Sequence, residues 1–548
     1  MQRNLQALSN QAFDLLVLGG GIQGACVAWE ATLRGLSVAL IDQSDFGAAT
    51  SANSLKIIHG GLRYLQTADF SRMRQSIRER QILMRIAPHL VHPLPVLVPT
   101  YGHGLKGKGA MVAALKLNDL ISCDRNRGLQ DPQKHIPPGR VISRQSCQQQ
   151  VPGIADQGLT GAATFHDAQV YNSERLTLAF IKSADQAGAT VANYVEATGF
   201  LQTDGQIQGV TARDALTGVP FEIQANAVVN TSGPWLNKVL NRLPTPTAHQ
   251  PFAKAVNVVL HRPLLDTDYA VAFRSGANKP GSTQKSRMLF VVPWRGTSMI
   301  GTHYRICNQG PDKWQVDDAE ILSLLQQINQ AYPPAQLTRE DVGFVHGGLL
   351  PQAGISSSGE PCLTKRYCIR DHAADGYQGL WSVTGVKYTT SRDVAQRVVD
   401  HLFRTWGQTS PVSTSATTPL VDGDINNIEE YIQQAVEQSQ FAAKEIRSLV
   451  YNYGSAYGDI FKDVIDSKIQ AITAQVRYVV QTEMAQTLKD VIFRRTELGS
   501  AGPPDEPTIH LCGKIMAEEL GWGHAHTQKE IHSLLSANLG SSRDVAVV

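Results

Sequence analysis

Cysteine, net charge and long apolar runs are all scarce in this chain, and each shortage closes off a class of function. Seven cysteines among 548 residues, an odd number with no Cys-x-x-Cys spacing, argue against a disulfide framework or a zinc site and fit a reducing compartment. Cys362 and Cys368 are near enough in sequence to meet, but idle thiols are the plainer reading. A formal net charge of +2 supplies no global field that would select nucleic acid. No stretch approaches the ~18 uninterrupted apolar residues of a membrane-spanning helix, and Met1 to Gln11 reads as too polar for the core of a signal peptide. Membrane contact is therefore expected to be peripheral. What is present is 42% hydrophobic content, enough for a large core and, at this length, for about three or four domain-sized units. No internal repeat is visible.

The first chemical signal is a nucleotide fingerprint. Leu15-Leu16-Val17-Leu18 reads as a buried parallel strand, and Gly19-x-Gly21-x-x-Gly24 opens a helix from Ile22 towards Gly35, whose N–H groups and dipole suit a diphosphate. Gly19 supplies the tight turn, Gly21 the close backbone approach and Gly24 the packing of helix on strand. A second strand, Ser37 to Ile41, ends at Asp42, placed to accept hydrogen bonds from an adenosine ribose. An acid there favours a free 2′-hydroxyl over a 2′-phosphate.

NAD and FAD share this fingerprint, and the next segment separates them. Thr50, Ser51 and Ser54 are small hydroxyl donors suited to phosphate and ribitol oxygens, and the bend His59-Gly60-Gly61 lets backbone lie against a flat ring. Residues 49–66, with 18–47 before them, resemble the FAD-dependent glycerol-3-phosphate dehydrogenase family, within the wider group of flavoprotein dehydrogenases and amine oxidases. The resemblance continues through Ala227 to Trp235, with Gly233 beside the flavin, through Val291 to Gly296 and Ile300 to Thr302, and through Val383 to Arg392. In that last motif Gly385, Lys387 and Thr389 are expected at the pyrimidine side of the ring, where a lysine and a helix N-terminus stabilise negative charge on the reduced flavin. Val195 is expected at the cofactor as well.

The flavin motifs are far apart in sequence, so the expected fold is α/β: a discontinuous Rossmann-type FAD-binding domain (1–65, 161–235 and 341–406) with an inserted mixed β-sheet substrate domain (66–160 and 236–340). Within the insertion, Ala255 to Leu260 alternates like a strand and Arg274 to Arg287 reads as a polar loop. A Ser/Thr/Pro-rich stretch at 407–419 reads as a linker. Beyond it, 420–548 reads as a helical C-terminal domain, with Val476, Val480, Met484, Leu488 and Val491 at helical spacing on a helix running out at Gly499.

The family oxidises a secondary alcohol, passing a hydride equivalent to flavin N5 while a base takes the hydroxyl proton. His59 is the candidate base, with an orienting role towards the flavin as the alternative. By resemblance Arg63 holds a substrate phosphate, for which a forked guanidinium is suited, and Tyr64 adds a hydrogen bond. Thr390 is a further substrate candidate. The match then loosens. Leu350 stands where the family has a phosphate-binding arginine, a loss of about 1.5–3 kcal/mol unless replaced, and Lys365 and Arg366 are candidate replacements. Lys254 lies in an altered segment, and His303 in Thr302-His303-Tyr304 is a second candidate base.

The resemblance implies oxidation of sn-glycerol 3-phosphate to dihydroxyacetone phosphate, with electrons passed to quinone and a cytoplasmic location, peripheral on the inner face of the cytoplasmic membrane. Arg72 to Arg85 and Gly104 to Ile121 are the candidate membrane segments. A different alcohol, dioxygen as acceptor, or a flavin-containing binding module without turnover are the alternatives. No metal is expected. A homodimer and the exact substrate stay open.

Overall fold

The computed structural model describes residues 1–102, 107–245, 247–275, 287–462, 464 and 467–537. Two sheets organise residues 12–384. The first runs, edge to edge, through Cys368–Asp371, Leu380–Thr384, Pro220–Asn230, Ala12–Leu18, Val38–Ile41 and Thr190–Ala192. Its four central neighbours are parallel, with Leu18 opposite both Asn230 and Ile41. Leu15, Leu16 and Val17 are fully buried, as expected of a strand covered on both faces, which explains the unbroken apolar run. An antiparallel hairpin, Val195–Thr203 with Gln206–Asp214, joins the sheet through Pro220–Asn230.

The helix Ile22–Leu33 packs on this sheet, and its terminus is set by Gly35 in the left-handed region at φ +85°. It nests between the helices Ser173–Gln186 and Ser391–Thr405. Arg34, paired with Glu30 at 2.6 Å, reaches Asp400 of Ser391–Thr405 at 2.5 Å, and Arg392 ties that helix to Phe70–Ile86 by meeting Glu79 at 2.6 Å.

The second sheet is mixed. In space its order is Pro361–Leu363, Val342–Ile355, Phe252–Leu260, Thr297–Ile306, Arg287–Trp294, Ala270–Ser275, Val91–Tyr101, Leu159–Val170 and Ile57–Ile58, with Arg140–Ser143 beside Leu159–Val170. Ala270–Ser275 runs parallel to Val91–Tyr101, whereas the other pairs are antiparallel. The helix Asp318–Ala331 covers one face through Ile321, Leu324, Leu325 and Ile328.

This pairing corrects the expected boundaries. Ile57–Ile58, most of Leu159–Val170 and Val342–Ile355 fall within segments assigned to the flavin domain, yet all three hydrogen-bond into the second sheet. A strand's apolar pattern records that it is buried, not which sheet buries it. The polar loop from Arg274 to Arg287 lies almost wholly outside the described residues.

The C-terminal part is helical, with a core of Val476, Val479, Leu488, Val491, Ile509 and Met516. The single helix expected through Leu488 and Val491 is broken: Lys468–Glu483 ends where Met484 turns left-handed at φ +57°, and a separate turn follows at Asp490–Arg495. Buried charges lock this part onto the first sheet and its covering helix. Asp45 accepts from Arg494 at 2.7 Å and from Arg495 at 2.7 and 2.9 Å, while Arg175 pairs with Glu483 at 2.5 and 2.9 Å. Residues 407–419 are no free tether either, since Ser410 accepts from Arg34, Ser413 donates to Glu30, and buried Ser415 accepts from Arg392.

Candidate active site

One cavity lies where the two sheets meet. Its wall begins with Gly19, Gly21 and Ile22, passes Asp42, Thr50, Ser51, Asn53 and Ser54, and takes in Val195, Thr231, Ser232 and Gly233. It closes with Ala255, Asn257, Thr302, Tyr304, Leu349, Leu350, Gly385, Lys387 and Tyr388.

The glycines act by what they leave out. A side chain at Gly19 would meet the Ser232 backbone at 2.8 Å, and Gly19 itself has φ +104°. One at Gly24 would lie 2.6 Å from Thr231 Oγ1 and overlap the Gly19 carbonyl oxygen, so helix and strand approach only because both positions are bare. Asp42 accepts from the N–H of Gly20 at 2.7 Å and of Ser44 at 2.9 Å. Burial nevertheless raises its pKa to about 6, against those hydrogen bonds. A polar ligand reaching the carboxylate would relieve that cost.

The loop after Asp42 is held from behind. Lys56, fully buried with φ +60°, donates to the Ala52 carbonyl at 2.6 Å, to Ser173 at 2.8 Å and to Glu174 at 2.9 Å. Burial lowers its pKa and the Glu174 carboxylate opposes the shift. Ser51 Oγ accepts from the Ile22 N–H at 2.9 Å, and Thr50 donates to the Leu349 carbonyl at 3.0 Å, tying the loop to the first helix and to the second sheet.

The bend at His59 is held by protein contacts. Gly60 N–H donates to Asp167 at 2.6 Å, and Arg80 donates to Asp167 at 3.0 Å and to the His166 carbonyl at 2.7 Å. A Cβ at Gly60 would strike the Arg80 guanidinium, and one at Gly61 would come within 2.7 Å of Tyr64. Both glycines are thus required by protein neighbours, and the cavity wall is formed without them, as it is without His59 and Tyr64. His59 sits beside Tyr64, ring centroids 6.1 Å apart. Burial lowers its pKa to about 4; Asp167 opposes this, and Lys387 and Arg80 add to it. His59 is therefore a neutral imidazole at pH 7.

Tyr64 carries two cations on its ring, Lys387 Nζ at 4.2 Å and the Arg72 guanidinium at 4.3 Å from the centroid. Burial, with Arg72 adding and Asp69 opposing, brings the Lys387 pKa down to about 7. Arg63 is exposed one residue away. Arg366 reaches the same cluster through Asp69 at 3.8 Å, while Lys365 is exposed next to it. Thr389 and Thr390 are buried at the start of the helix Ser391–Thr405, outside the wall.

Two expected substrate residues point away. Lys254 donates to the Gln315 carbonyl at 2.9 Å and to Glu320 at 3.1 Å, and buried His303 meets Gln327 at 3.2 Å. Ala255 faces Tyr304 across the strand pair while Val256 faces His303. Period-two alternation puts Ala255 and Tyr304 on the cavity side and Lys254 and His303 on the other. The same rule finds two residues that motif reading missed, Thr302 and Asn257, joined by a 2.8 Å hydrogen bond.

The family description "FAD dependent oxidoreductase" matches residues 14–392, and "C-terminal domain of alpha-glycerophosphate oxidase" matches residues 413–527. A glycerol-3-phosphate dehydrogenase from Synechocystis sp. is 32% identical over 96% of this chain and 97% of its own length. The chain belongs to the FAD-dependent glycerol-3-phosphate dehydrogenase family. An alpha-glycerophosphate oxidase from Streptococcus pneumoniae is 28% identical over 90% of each chain. Among solved structures, the glycerol-3-phosphate dehydrogenase from Bacillus halodurans complexed with FAD superposes with a TM-score of 0.74 over 99% of this chain and 96% of its own, at 23% identity, a likeness of fold.

FAD is the cofactor of this oxidoreductase, and the cavity fits it: a side-chain-free turn at Gly19 and Gly21, a half-buried carboxylate at Asp42 and a lysine at the far wall. When bound, the isoalloxazine supplies a two-electron acceptor that amino-acid side chains lack.

Proposed function

We propose that the enzyme oxidises sn-glycerol 3-phosphate to dihydroxyacetone phosphate and delivers the electrons to a membrane quinone. The observation that carries this reading is the cationic cluster around Tyr64, which adjoins the flavin cavity through Lys387 and contains Arg63 and Arg366. Gly19, Gly21, Asp42, Ser51 and Gly385 hold the cofactor in this reading, and Arg63 with Tyr64 orients the phosphate-bearing end of the alcohol. His59, neutral and adjoining Tyr64, takes the hydroxyl proton, while Lys387 supplies positive charge at the ring. The names of the Synechocystis and Bacillus relatives support the substrate.

The decisive measurement is anaerobic addition of glycerol 3-phosphate to the oxidised holoenzyme, followed by flavin absorbance. Bleaching within a turnover time is expected; bleaching only by an unphosphorylated polyol, or by none, refutes the reading. The streptococcal relative's name makes dioxygen the competing acceptor, and fast reoxidation in air without quinone would replace quinone by oxygen.

A peripheral membrane position is supported by the helix Lys108–Ile121. No helix among the described residues is long and apolar enough to cross a membrane. On this helix Val112, Leu117 and Leu120 are 41%, 40% and 71% exposed along one face, with Lys108 and Lys116 also exposed. Phe70 is also exposed, at 46%, on a helix that docks here through Arg74 and Asp124 at 2.7 Å. Exposed apolar residues interspersed with cations suit an anionic bilayer surface. Leu120→Glu is expected to abolish cosedimentation with anionic vesicles while leaving flavin reduction intact; unchanged cosedimentation rejects this face as the contact.

A further inference from the structure

We propose that Arg72 is a specificity-determining residue, its guanidinium binding the anionic end of the substrate across the ring of Tyr64. The proposal rests on the reading of the substrate as a phosphorylated polyol and extends it to a residue that no motif marks.

Three observations support it. First, Arg72 is one aromatic ring from the cavity: the Tyr64 ring that it covers at 4.3 Å is covered at 4.2 Å by Lys387, which forms part of the cavity wall. Secondly, Arg72 is poorly neutralised for a cation so shielded from water. Its side chain is 15% exposed, and the carboxylate that reaches it among the described residues, Asp69, stands off at 3.6 Å. That one carboxylate also lies 3.8 Å from Arg366 and accepts the Arg72 backbone N–H at 3.2 Å as the cap of the helix Phe70–Ile86. Arg72 and Arg366 thus share a single acid, with Lys387 on the same ring as Arg72. Thirdly, Arg72 occupies the first turn of that helix, where the backbone dipole disfavours a cation.

Two cations on one ring, a third and fourth nearby and a positive helix end repel one another in the absence of a ligand. A phosphate monoester dianion reverses the sign of each term. It offers oxygens in pairs to a guanidinium, which binds them through two parallel N–H donors. The opposite wall at Leu349, Leu350 and Pro351 brings no charge to the cavity, and Arg242, elsewhere in the wall, is already paired with Glu196 at 2.6 Å, so anion recognition falls to the Tyr64 side.

The test compares the wild-type holoenzyme with Arg72→Met and Arg72→Lys. Inorganic phosphate is titrated against each oxidised enzyme and read by perturbation of flavin absorbance, and steady-state kinetics are recorded with glycerol 3-phosphate and with glycerol. Arg72→Met is expected to weaken phosphate binding and raise KM for glycerol 3-phosphate about tenfold or more, as loss of a charge-assisted contact requires. Its kcat/KM for glycerol should fall far less than that for glycerol 3-phosphate, and Arg72→Lys should recover most of the loss. Unchanged phosphate affinity in Arg72→Met, no phosphate-dependent signal in the wild type, or equal losses on both alcohols would overturn the proposal. If the wild type fails to oxidise glycerol 3-phosphate while Arg72→Met still loses phosphate, the anion site stands and the substrate reading falls. Flavin content and the melting temperature identify a variant that has lost its fold, in which case Arg72→Lys carries the comparison alone through its own phosphate titration.

Discussion

Replacing Gly24 by alanine sets two physical effects against each other. Helix propensity alone makes the variant more stable, since alanine in a helix interior is better than glycine by about 0.8–1.0 kcal/mol. The structure gives the opposite sign. The new methyl would sit 2.6 Å from Thr231 Oγ1 and overlap the Gly19 carbonyl oxygen, both of which are main supports of the turn. Taking ~3.3 Å as an ordinary carbon–oxygen contact, clearing Thr231 alone needs roughly 0.7 Å of movement, and clearing Gly19 needs more. Thr231 is not free to swing, because its hydroxyl bonds to the Leu18 and Gly19 carbonyls at 2.9 and 3.0 Å. The helix must therefore lift from the strand, at an overpacking cost of about 1–3 kcal/mol, which exceeds the propensity gain over most of its range. The displaced element is the diphosphate cradle, so the cost falls on cofactor binding. Apoprotein titrated with FAD and read by flavin fluorescence should show weakened affinity, with a lower melting temperature of the holoenzyme. Wild-type affinity together with a raised melting temperature would refute the steric account and leave propensity as the controlling term.

Glu483, buried between Arg175 and Lys182, is held down to about 2 because those cations overcome the cost of its burial. A lowered carboxylate contributes stability that is complete above its ordinary value near 4.5 and lost as pH falls towards 2. Melting curves should show that loss in the wild type, whereas Glu483→Gln should start about 3–5 kcal/mol less stable, as expected for a broken buried pair, and respond less to acid; parallel curves would contradict this. Lys387 changes charge near pH 7, so the rate of anaerobic flavin reduction should show a step there. Lys387→Met should remove that step, and its persistence would assign it to another group.

The parts of the active site set by local rules were legible in the sequence. The turn, helix and acid between Leu15 and Asp42 follow from strand periodicity and from what glycine permits, and the expected helix end at Gly35 coincides with a left-handed turn. Lys254 and His303 were misplaced by reading residue types without strand parity, although the alternation that sends them outward is itself written in the sequence. Arg72 could not have been found this way, because its approach to Tyr64 depends on how the helix Phe70–Ile86 docks. Nor could the sheet that claims Val342–Ile355, since burial on both faces leaves the same signature in either partner. Asp45 and its guanidinium partners, 449 and 450 positions apart, interact through tertiary structure alone.

That last separation has a consequence for biosynthesis. Asp45 belongs to the loop just past the nucleotide-binding strand, yet its counter-ions are separated from it by 449 and 450 positions. While the ribosome is still short of Arg494, the emerging amino-terminal half carries a carboxylate that its finished fold would bury without neutralisation. Native closure of that loop, and with it durable uptake of the prosthetic group, is thereby deferred until Arg494 and Arg495 have been made. Truncated or stalled products would stay colourless.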